Sequence, residues 1–441
     1  MKLLNNLIVP AFCGLLIFSG CSDNPEDPGT QPPSTNPEPP AYLGGYADPD
    51  GVLILNQGAA IENSSLTYIT PEGNIEQNVY QKVNGSAFGH GGQDLYMHNG
   101  KLYILSTNKD VYQKHEGDGT LVIADAVTLK REKVFKFDEL KYPRPEGSLD
   151  ENEFLPLVTP LRNIVVIDEK NIFFSDQKAL FRFDSTTGEL NIVEDSYHFG
   201  NQGNTIEAVA GTQGMVVIGD YIYTGGGGFW ASTRLLEFKK GENKATRILP
   251  DLKGEFISGV CQTGEREIMI ATCGRSGSTK SYFIFVNLDT WEIVKEKQVS
   301  ADISAEFFDT PGIALAGDYV YFCAGKTSVS RISLKTWKVE ENIIDLTKDA
   351  PNAKYLNCNA IADPIKKYLY VAVSDEYYET TISNGNLLVY DCSGETPVLV
   401  KTSKTRQAIL SEFIRCRNSI NKQLYQSPLI IRREQSLFLS F

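Results

Sequence analysis

The sequence predicts an all-β fold, a seven-bladed β-propeller with four-stranded blades closed by a strand from the C-terminal end. Three observations carry this expectation. An apolar strand, a tight polar turn and a second strand recur at a spacing of about 50 residues, the range of blade repeats. The copies read DLYMHNGKLYIL, NIVVIDEKNIFF, GMVVIGDYIYTG, GVCQTGEREIMIA, GIALAGDYVYF and NAIADPIKKYLYVA, with a half copy, GVLILNQG, at 51–58. Helical periodicity is scarce, and Tyr, Phe, Val, Ile and Thr fill the strand positions.

Taken in chain order, residues 1–20 read as a lipoprotein signal peptide. Lys2 gives a charged start and 7–18 an apolar stretch too short to span a membrane. The stretch ends in LIFSGC, so Cys21 is the expected lipidation site, the other reading being an ordinary secretory peptide with an incidental Cys. Two or three acyl chains, at ~0.8 kcal/mol per buried CH2, anchor a protein stably. Residues 21–45 form a Pro-rich acidic linker without large apolar residues in its first nineteen positions, a composition that builds no core. Asp23, Glu26 and Asp27 after the Cys resemble the surface-export signal of Bacteroidetes lipoproteins, or are simply a solvated tether.

The propeller is expected over 46–414. Each full copy continues into a third strand ending in a polar turn, such as GTLVIADAVTL, YFIFVNLDTW or SVSRISLKTW, and a polar fourth strand, such as EIVKEKQV. A gradient from apolar inner to charged outer strand fits a blade, whose outer edge must resist pairing with other chains. The first unit begins at GVLILN, which aligns with a second strand, and continues through SSLTYIT to NIEQNVYQ. Its innermost strand is missing, so 409–414 (ILSEFI) is expected to close the ring. Residues 415–441 carry five Lys/Arg against one acid and no blade pattern. They read as an irregular, disordered tail, either an extension without structural selection or a basic docking segment.

The formal charge of −13 excludes a nucleic-acid partner, which needs a basic footprint. Six cysteines remain beyond Cys21, with no zinc spacing, so few or no disulfides and no metal site are expected. Four histidines and no GxSxG, HExxH or EF-hand pattern argue against an enzyme, and no catalytic residue and no cofactor is assigned.

Strand order places the short turns HNGK, DEKN and GDY on one face and the long connections on the other, where binding residues tend to lie. Candidate ligand contacts there are His90, Tyr112, Phe229, Trp230, Tyr377 and Tyr378, with Gln93, Arg162, Gln213 and Asn359 at the channel mouth. Ser258 and Pro311 share that mouth position, and Tyr142, Phe154, Tyr197, Phe307 and Phe308 extend the aromatic rim. Rigid aromatics suit a sizeable ligand or a protein partner, or else pack beneath their own loops. His90 reads equally as a loop-stabilising hydrogen-bonding group. Trp230 follows four glycines, Gly225 to Gly228, which permit close backbone approach or positive φ.

The phrases GVLILNQG, QKVNG, GGQDLYMHNGKLYIL and GTLVIADAVTLK resemble a family of Bacteroidetes surface lipoproteins with seven-bladed propellers, related to surface-layer and YncE-like repeat proteins. The resemblance runs from about Gly51 to Ile414, and the vitamin B12-capturing lipoproteins look like one branch. It implies a lipid-anchored outer-membrane protein exposed at the cell surface. Such a protein binds a small-molecule or glycan nutrient (a corrinoid, siderophore-like compound or glycan) and assists a TonB-dependent transporter. The alternative is an adhesin or protein-interaction scaffold. No ligand residue is carried over from the family.

Overall fold

The computed structural model describes residues 44–56, 63–107, 117–158, 161–199, 206–208, 210–211, 214–228, 231–274, 281–300, 303, 313–325, 327–353, 355–356, 361–363, 366–374, 385–405 and 429–431. The signal segment, Cys21 and nearly all of the linker lie outside them.

Seven sheets, antiparallel except for the closing pair of blade 1, form the blades of a β-propeller, six of them four-stranded and one five-stranded. Blade 2 runs Gly92–His98, Lys101–Ser106, Leu121–Asp125 and Arg131–Phe135 from the inside outward. Blade 3 follows with Ile164–Asp168, Asn171–Ser175, Leu180–Asp184 and Glu189–Ile192. Blades 4, 5 and 6 begin at Met215, Phe256 and Ile313 in the same order. In blade 7 two short segments, Tyr355–Leu356 and Ile361–Asp363, share the inner side of Tyr368–Ser374.

The burial gradient across a blade follows from its composition. In blade 5 Ile268, Met269, Ile270 and Ala271 of the second strand are wholly buried, whereas Ile293 and Val294 of the outer strand are exposed among Lys295, Glu296 and Lys297. Side chains interdigitate between blades; Tyr103, Leu105 and Leu121 of blade 2 meet Phe174, Phe181 and Phe183 of blade 3. Each such side chain contributes roughly 1.5–3 kcal/mol of burial. The four described cysteines, Cys261, Cys273, Cys323 and Cys392, are buried; burial pushes the Cys392 thiol up to about 11.

Blade 1 departs from the expected pattern in two ways. Its outer strand is only Ile75–Glu76, and the NVYQ stretch expected to extend it is the start of a helix, Val79–Asn84. Asn78 and Gly85 take left-handed φ at the helix ends, and Val79 and Tyr80 bury completely between blades 1 and 2. The Tyr80 hydroxyl donates to Asp118 at 2.6 Å, so burial with a polar anchor outweighs strand propensity here.

The ring is closed by a C-terminal strand, but at another place than expected. Leu429–Ile431 pairs with Val52–Asn56, in parallel. Residues 409–414 lie outside the described residues, and the tail expected to be irregular therefore supplies a strand.

A recurring turn joins the third to the outer strand. In blade 5 Asn287 accepts from the amides of Asp289 and Thr290 at 2.9 and 3.0 Å, and Trp291 takes φ +60°. Leu129 and Trp337 take φ +59° and +61° at the same position of blades 2 and 6. A cation of the preceding blade grips this turn. Lys133 donates to Ser185 O at 3.1 Å, Arg182 to Asn243 at 2.6 Å and Lys401 to Gly73 O at 3.4 Å. Arg247 lies 4.3 Å above Trp291, Lys295 2.9 Å above Trp337, and Arg331 donates to Glu395 O. Between blades 1 and 2 the backbone takes this part, with Tyr46 N donating to Val127 O at 3.0 Å.

Candidate ligand-binding face

Both kinds of tight turn, inner-to-second and third-to-outer, lie on one face of the ring, so the opposite face receives the long connections. Two of these fold into hairpins where only loops were expected. Lys141–Pro143 pairs with Phe154–Pro156, and Tyr197–Phe199 with Ile206–Ala208. Tyr142, expected on the rim, is instead buried against Phe181 at 4.8 Å between ring centroids. Leu149 and Phe154 remain 69% and 51% exposed beside Asp150, Glu151 and Glu153.

Hydroxyls at the loop-side end of second strands hold the connections in place. Ser106 donates to Gly119 O at 2.9 Å, Ser175 to Gly211 O at 2.7 Å, Thr224 to Gly214 O at 2.8 Å and Thr272 to Lys253 O at 2.7 Å. In blade 3 the Asn163 amide adds a second donor to Gly211 O, at 2.7 Å. The Asp176 carboxylate accepts from the amides of Val158, Lys178 and Ala179 at 2.8, 2.6 and 2.9 Å. Full burial pushes this carboxyl up to about 6 in spite of the three donors. Between blades 2 and 3, Asp94 accepts from Leu95 N and Ile164 N, each at 2.7 Å, and staples two inner strands together.

Three of the sequence-derived contacts fall among described residues. His90 is half-buried before the inner strand of blade 2. Arg162 is half-buried two residues ahead of the blade 3 inner strand, with its backbone N–H on Ser175 O at 2.8 Å. Gln93 is 2% exposed and sits at a β-bulge between Gly92 and Asp94. Its Nε2 donates to Gly91 O at 3.0 Å, while its Oε1 is buried without a hydrogen-bond partner. Ser258 is at the matching bulge of blade 5, buried, with an unpartnered Oγ. Cys21, Tyr112, Gln213, Phe229, Trp230, Asn359, Tyr377 and Tyr378 lie outside the described residues.

Of the two roles expected for the glycines before Trp230, positive φ holds at Gly227, and packing accounts for Gly225. Gly225–Gly228 is strand, the end of Tyr221–Gly228 paired with Ala231–Lys239. A Cβ on Gly225 would meet Ile257 of blade 5 at 2.6 Å, and Gly227 takes φ +135° at a bulge. Blade packing, not ligand approach, demands glycine at Gly225.

Sequence reasoning missed Thr107, Asp94 and Asp176. Thr107 is 5% exposed with an unpartnered Oγ1. The signal for it is the polar pair Ser106–Thr107 ending an apolar strand, and for Asp176 the Ser-Asp pair in the same place of blade 3. Among the described residues no group of three His, Cys, Asp or Glu could hold a metal, and no helix is long and apolar enough to cross a membrane. On the tight-turn side a groove of about 650 Å³ between blades 6 and 7 is lined by Tyr319, Arg331, Glu340 and Glu395. Arg331 there is committed to Glu340 at 2.7 Å and stacks on Tyr319 at 3.8 Å.

A family model described as a domain of unknown function, DUF5074, matches residues 50–405, which spans all seven blades apart from the closing strand. The chain belongs to the DUF5074 family. Among solved structures it is similar to BamB from Moraxella catarrhalis, at 11% identity over 82% of this chain and 85% of that one, with a TM-score of 0.44. It is also similar to a puromycin-hydrolyzing peptidase of Mycobacterium tuberculosis, at 10% identity over 84% of this chain and 55% of that one, TM-score 0.45. No curated protein matches this DUF5074 chain.

Proposed function

We propose that this DUF5074 propeller is a ligand-capture lipoprotein of the outer membrane, lipidated at Cys21 and exposed at the cell surface, that holds a nutrient on its loop face and assists a TonB-dependent transporter. The observation that carries the reading is the asymmetry of the two faces. The tight-turn face commits its cations and turn backbones to neighbouring blades, as with Lys133 on Ser185 and Arg331 on Glu395. The loop face carries the long connections and, at the mouth positions Gln93 and Ser258, buried oxygens without partners. Neutral donors and acceptors there suit binding of amide- or hydroxyl-rich molecules, of the corrinoid, siderophore-like or glycan classes, better than hydrolysis.

Thermal-shift measurements with cobalamins, haem, ferric siderophores and oligosaccharides test this. A rise in melting temperature with one class supports capture; no movement with any of them overturns it. One observation favours a second reading, a protein-interaction scaffold: Leu149 and Phe154 project from the blade 2–3 connection largely uncovered. A stoichiometric protein that co-purifies from outer membranes, and is lost on Phe154→Ser, would favour the scaffold.

A further inference from the structure

Gly91 lies between Thr107 and the side-chain amide nitrogen of Gln93. A Cβ built on Gly91 would lie 3.4 Å from Thr107 Cβ, 3.7 Å from Thr107 Oγ1 and 3.9 Å from Gln93 Nε2. Gly91 takes φ +61°, which keeps that point clear of any side chain of its own. Its carbonyl accepts from both neighbours, the Thr107 N–H at 2.9 Å and Gln93 Nε2 at 3.0 Å. That contact fixes the amide orientation, because the reversed amide would set two oxygens against each other. Gln93 therefore turns Oε1, an acceptor only, away from Gly91. Thr107 adds a hydroxyl that both donates and accepts. Both oxygens are buried and have no partner.

Buried polar groups in folded proteins are paired as a rule, and each exception calls for an explanation. The bulge at Gln93 is the device that re-aims its side chain, as bulges do beside binding sites. We infer that Gln93 and Thr107 form a subsite for a single hydroxyl group of a glycan ligand. One sugar hydroxyl donates to Gln93 Oε1 and accepts from Thr107 Oγ1. A carboxylate cannot donate and leaves Gln93 Oε1 unpaired, and an ammonium, which cannot accept, leaves the Thr107 hydroxyl proton unpaired; a hydroxyl serves both. This rests on the capture reading and gives it one ligand class.

The test uses the full chain and two variants, Thr107→Val and Thr107→Ser. Thr107→Val keeps the shape and removes the hydroxyl. If the site is kept for a ligand, the apo variant melts at or above the wild-type temperature, because no bond is lost. A fall of several degrees would mean that Thr107 Oγ1 serves the fold through a structural water, and would overturn the subsite. Calorimetric titration with maltoheptaose, xylohexaose, tetra-N-acetylchitotetraose and cyanocobalamin supplies the second arm. Oligosaccharide binding weakened about tenfold by Thr107→Val and restored by Thr107→Ser supports the subsite, tenfold being the size of one hydrogen bond. Binding of cyanocobalamin alone, unchanged in Thr107→Val, leaves capture standing and overturns the subsite. Binding of none of the four to wild type overturns the glycan assignment together with capture of these two classes.

Discussion

Blades 2 and 3 are neighbours built on one plan, yet their loop-side ends differ in how their polar groups are used. In blade 3 the hydroxyl of Ser175, the amide of Asn163 and the carboxylate of Asp176 all meet partners, and they draw the incoming and outgoing connections onto the blade. In blade 2 Gln93 Oε1 and Thr107 Oγ1 are equally buried and meet none. Polar satisfaction is worth about 1 kcal/mol per bond made, and an orphaned group costs more. A fold that closes one corner fully and leaves the next open fits the proposal that the first serves structure and the second a ligand.

Breaking the closed corner is expected to have the largest effect. Asp176→Ala strands three amides, that of Ala179 buried and those of Val158 and Lys178 part-buried, and is expected to cost on the order of 3 kcal/mol in urea denaturation. Asp176 also makes the corner sensitive to pH. Its folded carboxyl is raised from 3.8 to about 6, so the folded state binds more protons than the unfolded chain between those values. Unfolding free energy is therefore expected to fall as pH rises from about 4 to about 6, by up to roughly 3 kcal/mol. The stabilisation is complete below the unfolded value and gone above the folded one. Asp176→Asn removes the titration and flattens this part of the stability–pH curve; an unchanged slope would show that Asp176 is not its source.

A smaller effect is expected between blades 4 and 5. Gly225→Val drives a side chain into Ile257, and overpacking of this kind costs typically 1–3 kcal/mol. Loss of stability that is relieved by Ile257→Ala in the double variant would confirm that this glycine serves packing. Full stability in Gly225→Val alone would return it to ligand approach.

Much of this architecture was legible in the amino-acid order. The turn phrases around Asn99 and Gly219 and the aromatic second strands fixed six blades, because strand period and turn chemistry are local properties. The half copy at Val52 implied closure by a distant strand, but which residues supply it depends on non-local pairing, and Leu429–Ile431 lies against it. Helix Val79–Asn84 was hidden because Val and Tyr favour strands until tertiary burial overrides them. Gln93 was legible as a mouth residue from its place in the repeat. Its missing partner was not, since satisfaction depends on the bulge and on Gly91; the polar pairs Ser106–Thr107 and Ser175–Asp176 mark strand ends in the sequence but do not tell which side chain finds partners.

The smallest expected effect is also the most direct test of the open corner against the closed one. Equilibrium denaturation of Thr107→Val and Ser175→Ala should be compared in ligand-free buffer. Ser175→Ala is expected to lose about 1–2 kcal/mol, because Gly211 O gives up a donor and Asn163 N an acceptor. Thr107→Val is expected to lose nothing or gain a few tenths. Equal losses in the two variants would contradict the division between a corner built for the fold and one left for a ligand.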